Sequence, residues 1–140
     1  MYFMNDATLK VPGRITDRTV HCLVVPRSDD LSGGATFNVT RWPVEPGADV
    51  EKLADETVRE AARRFPRYRF LDRSRREIDR LPAVDVRFTW EGEDDEVYVR
   101  QAHVVVRGMW LVFAASGGLE ARDVCDAAID RTIATFRARG

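Results

Sequence analysis

Cysteine and histidine are scarce here: the 140 residues include two of each. Cys22 and Cys125 lie about a hundred positions apart, with no CxxC pair and no histidine at ligand spacing nearby. That excludes a disulfide framework and a zinc site, and suits two small apolar residues in a reducing compartment. No apolar run approaches the ~18 residues of a membrane span. Charge of one sign is not in excess either, since 22 basic and 23 acidic side chains leave a net charge of −1. They are well mixed, so there is no basic stripe for nucleic acid and no acidic tail for a basic partner. The opening MYFMNDATLK lacks the basic start and apolar core of a secretory signal. The expectation is a cytoplasmic protein without direct membrane insertion.

What is present is a core. Apolar content of 44% and charge of 32% are those of a globular protein, and the length fits one domain over residues 1–140. The chain is organised around Val97–Ala115, where VYVRQAHVVV and MWLVFAA meet at Arg107-Gly108. This reads as a hairpin with a two-residue turn, although Arg107 is a poor first residue where both turn positions need positive φ. In that register Val106, Val104 and Ala102 face Met109, Leu111 and Phe113 on an ordinary core face. The other face sets Val105 against Trp110, His103 against Val112 and Gln101 against Ala114. Both faces are mainly apolar and both need cover.

In chain order, Thr19–Val25 and Ala35–Trp42 read as strands stopped by Pro26 and Pro43, with a Ser/Asp/Gly loop between them. From Asp49, a reasonable N-cap, the spacing changes to three and four. Val50, Leu53, Ala54, Thr57, Val58, Ala61, Ala62 and Phe65 then mark a helix over about 49–65. Its stripe is wide and made of small residues, which permits close approach. Tyr68–Ile78 reads as a charged strand near an edge. Pro82–Trp90 is a clear one, with Val84, Val86, Phe88 and Trp90 on one side. Past Ser116-Gly117-Gly118, the residues Ala121, Val124, Cys125, Ala128, Ile129, Thr132, Ile133 and Phe136 form the stripe of a helix over about 120–137. The order β-β-α-β-β-β-β-α predicts an α+β fold: an antiparallel meander sandwiched with two main helices.

Catalytic chemistry is missing. His21 and His103 sit in strands among β-branched neighbours and read as satisfied core histidines. Ser116-Gly117-Gly118 lacks the glycine spacing and the Lys of a phosphate loop. The acidic run Glu91–Glu96 does not fit a calcium loop and reads as a solvated hairpin tip. Arg73, Arg75, Arg76 and Arg80, interleaved with acids, read as a charged edge that discourages strand-to-strand aggregation. The expectation is no enzyme, no metal and no cofactor.

The segments ITDRTVHCLVVP, FNVTRWPVEPG, RRFPRYRFLDR, LPAVDVRFTW, RQAHVVVRGMWLVFAAS and TIATFR resemble, in this order, DcrB-related proteins. The likeness covers nearly the whole chain, and Arg100-Gln101-Ala102 is its most specific part. It implies a PsbP-like sandwich. One departure is Arg80, where relatives tend to have Gly. In size, and in lacking an export signal, the chain is similar to the effector-associated (Eag) chaperones of the type VI secretion system. Those are homodimers that shield the N-terminal transmembrane helices of effectors before loading on the secretion spike.

The resemblance implies a client groove between the sheet and the first long helix, with small apolar side chains and glutamines. By motif it implies Val20 and Cys22 on the first strand, Ala61 and Phe65 on the helix, and Gln101. Thr57 stands where such chaperones can carry a further glutamine, and a hydroxyl can still donate one hydrogen bond. Two readings of the Gln101 face stand side by side. In one, Gln101 meets polar atoms of a client's apolar helix. In the other, it pairs within a closed core, in an interaction or small-ligand module of the same fold.

Overall fold

The computed structural model describes residues 19–25 as backbone, and residues 35–93 and 95–137 with their side chains. The strands are β1 (Thr19–Val25), β2 (Ala35–Pro43), β3 (Arg69–Ile78), β4 (Leu81–Glu91), β5 (Glu96–Val106) and β6 (Met109–Gly118). Two helices accompany them, α1 (Val50–Arg64) and α2 (Arg122–Thr135). Ser116-Gly117-Gly118, expected as a linker, completes β6 instead.

All strand pairings are antiparallel, in the order β1-β2-β6-β5-β4-β3. The meander expected from short loops holds for β3 through β6. The β1–β2 hairpin instead joins at β6, with Thr36 opposite Ser116 and Trp42 opposite Trp110. Strand β2 therefore lies inside the sheet, and the chain must cross one face to begin β3 at the far edge. Helix α1 is that crossing.

The central hairpin has the register its alternation predicts, from Gln101 opposite Ala114 to Val106 opposite Met109. Its turn does require positive φ at both positions, +49° at Arg107 and +77° at Gly108. Strand pairing on either side holds the arginine in a region that disfavours L side chains. The β3–β4 turn does the same at Asp79 (+52°) and Arg80 (+68°).

Each sheet face has its own core. On one, Ala121 at the N-cap of α2 and Cys125 and Ile129 within it pack against Phe37, Val39, Tyr98, Ala102, Val104, Leu111 and Phe113. On the other, α1 packs Val50, Ala54 and Ala61 against Val84, Val86, Phe88 and Val99. The alanines bring the helix close to the sheet. Asp49 caps α1, its carboxylate accepting from the Glu51 backbone N–H at 2.9 Å.

The α2 face also holds a buried ion network. Arg100, 1% exposed, grips Asp85, 2% exposed. Nε donates to Oδ1 at 3.0 Å and Nη2 to Oδ2 at 2.7 Å. Asp130 lies 2.9 Å from Nη2, and Nη1 donates to the Asp126 backbone carbonyl at 3.2 Å. Arg76 reaches Asp85 at 3.0 Å, and the Tyr98 hydroxyl donates to Asp126 at 2.6 Å. Burial opposes the charge on Arg100, but the hydrogen bonds to Asp85 and Asp130 outweigh it and raise its pKa. Burial and the bond to Asp126 raise the pKa of Tyr98. The network ties β4, β5 and α2 together and belongs to the scaffold.

Candidate binding groove

Helix α1 covers only part of its sheet face. Two acids on one flank are held by the edge strand: Arg73 Nε lies 2.9 Å from Asp55, and Arg75 Nε 3.1 Å from Glu51. At about 100° per residue, Leu53 and Thr57 fall on the opposite flank, toward β6. The helix packs on β4 and β5. Beyond it the same face continues across β6 and β2, where no described helix lies.

Register defines the floor. One row runs Gln101, Ala114, Asn38 and the backbone of Cys22 across β5, β6, β2 and β1. The next runs His103, Val112, Thr40 and the backbone of Val20, and a third Val105, Trp110 and Trp42. Directly opposed residues share a face. Gln101, Ala114, Asn38, Thr40, Trp42 and Trp110 are half-buried, and Val112 is buried. This is a surface of mixed character, Ala114, Val112 and Val105 lying among Gln101, Asn38 and Thr40, and it is ended by two tryptophans with ring centroids 4.9 Å apart.

A polar chain crosses that floor. The Trp110 Nε1–H donates to His103 Nδ1 at 3.1 Å, and His103 Nε2 lies 3.0 Å from Gln101 Oε1. The imidazole is fully buried and stacks on Trp110 at 5.8 Å. Burial, then the nearby Arg73 charge, lowers its pKa to about 3. His103 is therefore neutral and satisfied, unsuited to act as a base near neutral pH.

The residues singled out in sequence take different places. Gln101 lies on the floor, and the backbones of Val20 and Cys22 pair beside it; the side chains of these two, and of His21, fall outside the described residues. Thr57 is on the helix flank, and its hydroxyl donates to the Leu53 carbonyl at 3.0 Å. The donor it was expected to offer is thus taken up within α1. Ala61 is buried beneath the helix, and Phe65 stacks on Trp90 at 4.8 Å and on Phe88 at 6.2 Å. Both belong to the core that seats α1 and stand behind the floor. The sequence set Val112 and Ala114 on the hairpin's second face without naming them as site residues, and it did not single out Asn38 or Thr40. The signal was the surplus apolar face of the hairpin, but the neighbourhood of the four depends on β2 joining β6.

Among the described residues, no helix is long and apolar enough to cross a membrane. Cys125 is a free, buried thiol on the α2 side, its pKa raised by burial, then by Asp126, to about 11. That makes it an inert core residue.

An antiparallel sheet with a helix on each face, one face covered only in part by the described helices, defines a PsbP-like α+β sandwich. The chain belongs to the DcrB family, whose model matches residues 6–138. Among solved structures it is similar to a Pseudomonas aeruginosa protein of unknown function, PA94, described as a putative regulator. Identity there is 19%, with 99% of this chain and 96% of that one covered and a TM-score of 0.78. It is also similar to LpqN, involved in cell envelope biogenesis of Mycobacterium tuberculosis (14% identity, 94% and 92% covered, TM-score 0.60). The PsbP protein CyanoP of Synechocystis sp. PCC 6803 is a third (11% identity, 94% and 99% covered, TM-score 0.59). At these identities the likeness is one of fold. No curated protein matches the chain.

Proposed function

We propose that this protein is a non-enzymatic chaperone or adaptor that shelters an apolar helix of a client protein. In line with its resemblance to the effector-associated chaperones, the client is the N-terminal transmembrane segment of a type VI effector. The protein then acts in the cytoplasm as a homodimer and helps load the effector on the secretion spike. One observation carries the reading: the floor over β6 and β2 sets Ala114, Val112, Trp110 and Trp42 beside Asn38 and Thr40, and no described helix covers it beside α1. A helix laid there would bury its own apolar face along the flank that bears Leu53 and Thr57.

The test uses a soluble carrier fused to a 20-residue Leu/Ala helix, about the length that spans a bilayer core, co-expressed with this chain. The expected result is a soluble complex that co-purifies, with light scattering giving twice the 15.9 kDa chain mass for the free protein. Ala114→Lys should abolish co-purification with the circular dichroism spectrum unchanged, because a charge on the floor must be desolvated against the client. A folded Ala114→Lys variant that still retains the helix would overturn the reading, as would wild type that leaves the carrier insoluble.

A further inference from the structure

Gln101 is polar in two directions, since its carboxamide can turn either its oxygen or its NH2 group to the open floor. The neighbouring side chains remove that freedom. An indole Nε1–H can only donate, so at 3.1 Å His103 Nδ1 must accept. A neutral imidazole then carries its one proton on Nε2. That N–H donates to the group 3.0 Å away, which must be the Gln101 oxygen. The amide NH2 is the end left over, and no described residue accepts from it.

We propose that Trp110 and His103 are positioning residues that fix Gln101 as an obligate hydrogen-bond donor on the groove floor. The bound helix must then present an acceptor at that point: a side-chain carbonyl or hydroxyl. The inference rests on the groove reading above and adds a chemical requirement to it. Thr57 does not share the task, since its hydroxyl is bonded within its own helix. An apolar client without such an acceptor leaves the Gln101 amide desolvated and unpaired, which costs affinity.

Two measurements test this in the intact protein. The first is the nitrogen-15 NMR signature of His103, which separates the two neutral tautomers. Wild type should show the Nε2–H form alone, and Trp110→Phe, which keeps an aromatic ring beside Trp42, should show a mixture or the other form. The second compares two carriers, one with the plain Leu/Ala helix and one with a single central Asn. Wild type should hold the Asn helix roughly fivefold more tightly, the worth of one hydrogen bond. Trp110→Phe should lose that preference, the ratio of the two affinities falling to about one whatever happens to the affinity they share.

An Nδ1–H tautomer in wild type overturns the relay, whether or not the variant folds. Equal affinity of wild type for the two helices overturns the acceptor requirement. Failure to hold either helix overturns the groove reading and the acceptor requirement together, while the tautomer result still stands or falls by itself.

Discussion

Acid should weaken this protein through His103, and the size of the effect follows from its burial. In the unfolded chain the imidazole takes a proton near the ordinary value of about 6.5. In the folded protein it does so only near pH 3, because the site between Trp110, Gln101 and the sheet excludes water. Between those values the unfolded state binds one more proton than the native state. Stability from this group is therefore complete above pH 6.5 and falls as pH drops toward 3. The slope is about 1.4 kcal/mol per pH unit, so descending from pH 7 to pH 4.5 should remove about 2–3 kcal/mol. His103→Gln is the reference, since glutamine can both donate to Gln101 and accept from Trp110 without titrating.

The assay is urea unfolding followed by tryptophan fluorescence at half-unit pH steps, for wild type and variant. Subtracting the curves cancels the titration of the carboxylates. The difference should be flat above pH 7 and move against wild type as pH falls. A difference that stays constant down to pH 4.5 would refute the closed, neutral histidine. So would a wild type that gains on the variant in acid.

Two further expectations concern the scaffold. Arg80→Gly places at φ +68° the residue that tolerates it, and should raise stability by about 0.5–1 kcal/mol in urea; a lower urea midpoint would contradict the turn geometry. Arg100→Met leaves Asp85, 2% exposed, with the partly exposed Arg76 as its remaining ion partner among the described residues, and should cost about 3 kcal/mol, part of it recovered when Asp85→Leu is added. A single Arg100→Met variant as stable as wild type would show that Arg76 alone is enough to hold Asp85.

Much of the fold was legible because each element has a clean period. Alternation in Ala83–Trp90 and Gln101–Ala114 set faces and register, and three- and four-residue spacing placed both helices within one to two residues of their ends. Three things were hidden. Arg100 and Asp85 look in sequence like solvent-facing positions of an alternating strand, and only α2 folding over them makes them a buried pair. The pairing of β2 with β6 joins residues as far apart as Thr36 and Ser116, beyond the reach of local pattern. The site was half visible: Gln101 stood out as an amide among aliphatics, but its link to Trp110 needs the β5–β6 register and a particular tautomer. Ala61 and Phe65 share a helical stripe that does not distinguish packing beneath the helix from facing a groove beside it.

The seam between β2 and β6 also has a bearing on time. The segment from β3 to β6 is a run of neighbouring hairpins whose partners are close in sequence, and such contacts form early because closing their loops costs little entropy. The β1–β2 ribbon must wait for β6, which follows β3 to β5 in the chain, before it has anything further to pair with. Half of the groove floor is therefore laid down only once β6 has been made. The α2 core and its ion network close later still, because α2 follows β6 in the chain and packs on Phe37 and Val39 of β2.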